Sequence, residues 1–323
     1  MAKGRNSAPT INGFINFYKP IDMSSMDAVR RIKRITGQRN KVGHGGTMDP
    51  LAQGVLPICL GQATRLMDYV INGSKRYETD IELGATTSTY DSEGEVVPQG
   101  AFDHLTRELI QAALDGFIGT IEQRPPMYSA VKVQGQRLYK LARAGLEIER
   151  EARRVEIHSI DIIEFAPPKL VLDVKCGRGV YIRSLAHDLG QVLGCGGYVT
   201  KLVRHYCGGF DAADSVGFEE LEASVSETAT GWQQYLYPLD HILGGLQSVT
   251  IGADAQRNLQ HGQRFNLGSI TSDAGFLEQH RAYSSDGTFL ALIAFDPPTN
   301  SWYPVKVFQS DSVSPYALLP SND

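Results

Sequence analysis

Apolar residues at Val29, Ile32 and Ile35 recur at helical spacing between Ser24 and Gly37 and predict a helix with one buried stripe. Ser24, with Asp27 three residues on, resembles a capping box, and Gly37 supplies the stop. The opposite face carries Arg30, Arg31, Lys33 and Arg34, so this helix should turn positive charge outward. At Tyr77–Leu83 the pattern becomes alternation closed by Gly84, which predicts a strand. Val155–Phe165 and Leu170–Cys176 predict two more, joined through Pro167 and Pro168. Residues 86–94 are polar and β-branched and read as a loop closing in a turn at Gly94. Helical spacing returns over Leu105–Phe117 and Arg183–Leu193, the second ended by Gly194, Gly196 and Gly197. Val180, Tyr181 and Ile182 read as strand-like and would deliver Arg183 to the start of that helix.

Strands interleaved with helices predict an α/β (α+β) domain over residues 1–210. Residues 211–245 follow as a connecting segment, acidic at Glu219, Glu220, Glu222 and Glu227, with a helix expected in its first half. Ser248–Ile251, Gly262–Leu267, Arg281–Ser284, Phe289–Phe295 and Tyr303–Phe308 then predict a small β domain over 246–323, with Asp286-Gly287 as a hairpin turn. No repeat of about 20–50 residues is visible, which excludes solenoids and propellers.

With 323 residues, 42% hydrophobic and 21% charged, the chain can bury a core and is not a disordered sequence. No apolar run approaches the roughly 18 residues needed to cross a bilayer. Met1–Thr10 lacks the apolar stretch of a signal peptide, which predicts that the protein is not secreted. Cys59, Cys176, Cys195 and Cys207 are widely spaced and form no Cys-x-x-Cys pair. That spacing argues against a disulfide framework and a zinc site and fits a cytoplasmic protein.

A net charge of -5 speaks against a nucleic-acid partner until it is divided along the chain. Residues 211–323 hold four Lys or Arg against fourteen Asp or Glu, whereas residues 1–210 carry a net +5. Arg30, Arg31, Lys33, Arg34, Arg39 and Lys41 form one acid-free basic run. Arg137, Lys140, Arg143, Arg150, Arg153 and Arg154 form a second, diluted by Glu147, Glu149 and Glu151. Such runs also make ordinary solvated faces. Their place in the half that holds the Gly-rich motifs points to a polyanionic partner.

The densest motif runs from Gly43 to Leu56 through His44, Gly45, Gly46, Thr47, Met48, Asp49 and Pro50. Its glycines permit close backbone approach to a ligand, but the P-loop spacing is absent. Asp49 in an Asp-Pro turn is available as a nucleophile or base; an Asp there equally serves only to start the turn. Arg183 at a helix start can hold a carboxylate through its guanidinium fork, with Asp49 as one such partner; an ordinary surface arginine fits the same position. Tyr77, following Lys75 and Arg76, suits a base-stacking aromatic as well as a core position. His44 has no second ligand at metal-binding spacing.

These segments closely resemble the TruB family of tRNA pseudouridine synthases. The likeness starts at Gly13–Pro20 with its Lys19-Pro20, and runs through Lys41–Ala52, where the family usually has Leu in place of Met48. It continues through Gly61–Leu66, Lys75–Tyr77, Leu83-Gly84 with Thr87, Thr89, Asp91 and Gly94, Gln123–Lys132, Tyr181–Gly190 and Lys201–Arg204, across about residues 13–210. The resemblance implies a pseudouridine synthase fold: a mixed, mostly antiparallel sheet flanked by helices, an RNA-clamping insertion at about 124–154, and a C-terminal PUA-like domain. It implies that uridine 55 in the T arm of tRNA is flipped out, detached and rejoined through C5, by a monomer needing no cofactor, metal or protein partner. Asp49 then matches the catalytic aspartate, Arg183 its paired arginine, and Tyr77 the tyrosine that stacks on the base. His44 matches the residue inserted into the T loop; Lys19, Pro20 and Leu202 match positions shaping the pocket. Attack of Asp49 at C1′ and removal of a sugar proton to give a glycal both fit that role. The alternatives are a guide-RNA-dependent H/ACA-type synthase and a tRNA-folding chaperone that works without catalysis.

Overall fold

The computed structural model describes residues 11–38, 41–129, 131–133, 135–146, 148–267, 278–309 and 313–317. What the pattern predicted for residues 1–10, Arg39, Ala130 and Glu147, and for the side chains of Lys132, Arg137 and Arg143, lies outside the described residues. The first helix, Ser25–Ile35, follows from local chemistry. The Ser24 hydroxyl oxygen accepts from Asp27 N at 3.1 Å and satisfies an otherwise orphaned first-turn N–H. Ala28, Val29 and Ile32 are buried. Its outer face is only partly free. Arg30 pairs with Asp27, and Arg31 with Glu222 at 2.8 Å, while Lys33 and Arg34 stay exposed.

A ten-stranded sheet forms the centre. Its strands lie in the order Leu236–Tyr237, Gly13–Lys19, Ala52–Leu60, Gly197–Cys207, Lys75–Leu83, Lys169–Cys176, Arg153–Ala166 and Gly119–Gln123. Val42–His44 and Phe210–Asp211 pair alongside. Ala52–Leu60 runs parallel to Gly197–Cys207, and the remaining pairs are antiparallel. That is the expected mixed, mostly antiparallel sheet. Alternation assigns the two faces. Ile15, Phe17, Leu56, Ile58, Leu172 and Val174 pack beneath Val29 and Ile32 of the first helix, Ile110 and Leu114 of Arg107–Asp115, and Leu185 and Leu189 of Ile182–Val192. Phe14, Val55 and Cys59 face the other way, into a cluster with Leu66 and Val70 and with Tyr283, Phe289, Leu292 and Phe308 of the C-terminal sheet.

Several expectations need correction. Val180–Ile182 is no strand: Tyr181 N donates to Gln123 Oε1 at 2.7 Å, no neighbouring strand pairs with it, and the helix already starts at Ile182. Residues 211–245 are not a bare connection: Val216, Phe218, Leu221 and Trp232 are buried in the first core, and Leu239 and Leu243 in the cluster shared with the C-terminal sheet. Phe218, of the helix Phe218–Glu227, lies 4.6 Å from Phe17 between ring centroids, and Leu236–Tyr237 adds an edge strand. The insertion contains a ribbon, Lys132–Val133 with Gln136–Arg137, and a short helix, Leu138–Arg143. In the C-terminal sheet the strands Ser248–Thr250, Gln279–Tyr283, Phe289–Asp296 and Ser301–Val307 stand in that order. Gly262–Leu267 contributes only the bridge Phe265–Trp302, and a helix, Ala253–Gln260, precedes it. Among the described residues no helix is long and apolar enough to cross a membrane.

One register row crosses five strands: Lys19 opposite Gly54, Gly54 beside Arg204, Arg204 opposite Tyr77, Tyr77 opposite Val174. Gly54 has φ +110°, and a Cβ there would lie 2.2 Å from the Arg204 carbonyl oxygen. Gly54→Ala therefore combines backbone strain with a backbone collision and should cost about 3 kcal/mol or more. Denaturant unfolding checks this; an unchanged midpoint would show that the strands part without penalty.

Candidate active site

Asp49 sits in the turn that leads into the Ala52–Leu60 strand, closed by the Ala52 N to Asp49 O hydrogen bond of 3.1 Å. Proline at position 50 presets the turn, as its fixed φ requires. Two anchors hold the segment from outside. Ser25 at the first helix start receives Met48 N at 2.8 Å and donates to Met48 O at 3.1 Å. Lys19, fully buried at the end of its strand, donates from Nζ to Pro20 O and Met23 O at 2.7 Å and to Pro50 O at 3.3 Å. One ammonium thus ties the Lys19-Pro20 motif to the Asp49-Pro50 turn. Burial lowers the Lys19 pKa to about 8, with Asp49 opposing the shift.

The expected ion pair is present. Arg183 Nε lies 2.9 Å from Asp49 Oδ2; the arginine is 3% exposed and the aspartate side chain 31%. The 2.9 Å separation puts charge against charge, and the guanidinium favours the ionised carboxylate. The rest of the guanidinium is well held: Nη1 lies 3.1 Å from Asp91 Oδ2 and donates to Thr89 O, and Nη2 donates to Tyr128 O at 2.8 Å. Asp91 is fully enclosed and braced by Thr89 Oγ1 at 2.6 Å and Glu93 N at 3.0 Å. Arg183 is thus fixed from behind, and Asp49 is its solvent-side partner. Burial raises the Asp49 pKa; Arg183 opposes that shift and Asp91 adds to it.

Tyr77 lies half-buried two strands away from Gly54, with burial pushing its phenol up to about 12 and Arg204 opposing. The ring is neutral at pH 7. Leu202 is buried in the core beside Ala52 and opposite Thr79, beneath the Asp49 turn. His44 pairs opposite Ile58, half-buried, with its Nδ1 unpartnered and its pKa lowered by burial. A neutral ring suits insertion among bases. Lys19, Pro20, Asp49, Arg183, Tyr77 and Leu202 gather around the row of Gly54 and Arg204, and His44 stands farther along the same loop.

Two residues without an assigned role belong with them. Asp91 is the second carboxylate on Arg183. Arg204 is 1% exposed, donates from Nε to Val55 O at 2.7 Å and from Nη2 to Gly46 O at 3.2 Å, and meets no carboxylate among the described residues. It clamps the Gly-rich loop over the sheet. The signals were an acid after the Thr87-x-Thr89 pair and an arginine directly after the apolar pair Leu202-Val203.

Residues 33–182 match the N-terminal domain model of the TruB family pseudouridylate synthases, and residues 183–244 match the C-terminal domain of tRNA pseudouridylate synthase B. The chain is 42% identical over 308 residues to tRNA pseudouridine synthase B of Dehalococcoides mccartyi (strain CBDB1), spanning 95% of this chain and 100% of that protein. It is 43% identical over 263 residues to the Nitrosococcus oceani protein of that name, covering 81% and 85% of the two chains. A crystal structure of a Cbf5-Nop10-Gar1 complex superposes with a TM-score of 0.69 at 23% identity, covering 94% of this chain and 86% of that one. At that identity it speaks for the fold alone. Likeness of the first kind over nearly the whole length, with both domain models in order along it, leads to one conclusion: this chain is a member of the TruB family of pseudouridylate synthases.

Proposed function

We propose that this protein converts uridine 55 in the T arm of tRNA to pseudouridine, acting in the cytoplasm as a monomer without cofactor, with residues 1–210 as its catalytic domain. The observation that carries this reading is the Asp49–Arg183 contact of 2.9 Å, with the Asp49 side chain still partly open to solvent. The names of the near full-length relatives support the tRNA substrate. The target nucleotide leaves its stack, at a cost of a few kcal/mol. The Tyr77 ring and His44 replace the lost stacking. The C1′–N1 bond then breaks, its electron pair leaving with the uracil, while the Asp49 carboxylate either bonds to C1′ or takes a sugar proton. The ring turns and C5 bonds to C1′, as the Asp49–C1′ bond breaks on the first route or the sugar takes its proton back from Asp49 on the second; the C5 proton then departs and N1 ends protonated. Arg183 keeps the carboxylate oriented throughout, and Lys19 and Pro20 hold its turn.

The test is release of tritium from C5-labelled uridine in unmodified tRNA by the purified protein alone. Release without a guide RNA is expected; a requirement for one would favour the H/ACA-type reading, and binding without release would favour a chaperone. Tyr77→Phe separates the ring, which stacks on the base, from the hydroxyl, a candidate acceptor of the C5 proton. It should keep tRNA affinity while slowing single-turnover conversion roughly a hundredfold to ten-thousandfold, the range of a lost proton-transfer group. An unchanged rate would mean that only the ring matters.

A further inference from the structure

A cavity of about 420 Å³ opens at the end of the sheet where the Tyr77 strand begins, and Arg154, Arg178, His158, Ser74 and Thr120 line it. Arg178 Nη1 donates to the neutral Asn72 Oδ1 at 2.9 Å. Among the described residues no carboxylate comes within ion-pair distance of Arg154 or Arg178. Glu122 stands across the register from Arg154 without pairing with it. Glu156, the acid on the cavity wall, is the neighbour of His158, 3.8 Å from its Nδ1. Two guanidiniums without carboxylate partners and two hydroxyls therefore face one space.

The cavity also has a defined place relative to the site. Ser74 precedes Tyr77 by three residues along an extended chain, about 10 Å. Arg178 lies in the turn that leads to Arg183, pinned by Gly177 N donating to Glu156 O at 2.9 Å. Val70, two residues before Asn72, packs against Gly45 next to His44. The cavity and His44 thus lie at the same end of the sheet. A guanidinium fork matches the geometry of a phosphate, the anionic group of a nucleic acid.

We propose that this cavity is a phosphate-binding site that grips the backbone of the RNA substrate a short way along the strand from the flipped nucleotide. Arg178 and Arg154 supply the charge, and Ser74 and Thr120 the hydroxyl donors. The proposal rests on the reading of the substrate as RNA and adds where the strand is held.

The experiment compares wild type with Arg154→Ala/Arg178→Ala on a T-arm RNA, measuring affinity across salt concentrations and the single-turnover rate at saturating RNA. Each lost phosphate contact should flatten the log affinity against log salt slope by about 0.7 to 0.9 and weaken binding roughly three- to tenfold, with the saturating rate unchanged. Arg257→Ala, on the exposed C-terminal helix, should leave the slope as in wild type. Replacing single phosphates by neutral methylphosphonates should then reveal linkages whose loss weakens wild type but not the double variant. An unchanged slope, or an equal cost of every neutral linkage in both proteins, overturns the site. Failure of wild type to make pseudouridine would overturn the function instead, because the binding measurements judge the cavity without turnover.

Discussion

Asp49→Asn is expected to abolish conversion, lowering the single-turnover rate by roughly ten-thousandfold or more while tRNA affinity stays within a few fold. The amide keeps the size of the carboxylate and the turn that holds it, since that turn depends on the Asp49 carbonyl, on Ser25 and on Lys19 rather than on the side chain. What it loses is the anion. The same argument sets the pH dependence. Burial raises the Asp49 pKa, and only the ionised form works, so activity present at neutral pH should fall as the pH drops through that raised value. The acid limb of kcat/KM should therefore lie above the ordinary carboxylate range of about 4. Conversion by the Asn variant, or an acid limb at the unshifted position, would remove Asp49 from the chemistry.

The second large effect is expected at Arg183. Arg183→Met should cost about 3–5 kcal/mol of stability, because it strands the enclosed Asp91 carboxylate without its counter-ion. It should also stop turnover, because Asp49 loses its partner. The two losses are separable. Arg183→Met/Asp91→Asn removes the buried charge along with its partner and should recover much of the stability, read as an unfolding midpoint, without recovering conversion. A double variant that is both stable and active would show that Arg183 serves the fold alone.

Elements determined by neighbouring residues were legible in the sequence. The Ser25–Ile35 helix follows from Ser24, Asp27 and the stripe Val29, Ile32 and Ile35, and its observed limits fall within a residue or two of those expected. Ala253–Gln260 escaped because Leu259 is the one residue it buries, which leaves no stripe to count. Val180–Ile182 misled because a β-branched run declares extended backbone but not a partner strand. The charge of the first helix misled in the same way: Glu222, which neutralises Arg31, is far away in sequence. At the site, Asp49, Arg183 and Tyr77 were legible through motif likeness, and the Asp49–Arg183 contact was expected. Arg204 was not assigned a role, because its neighbours Gly54, Val55, Gly46 and Tyr77 are brought together by sheet register, which no local pattern encodes.

Val70 has neighbours on two sides. It touches Gly45 beside His44, and it shares an apolar cluster with Phe289, Leu292 and Phe308 of the C-terminal sheet. The terminal module therefore packs, through Val70, behind the Gly-rich loop. Trimming the chain before residue 246 would bare one wall of that cluster, and the slackening would travel through a single short helix to the histidine.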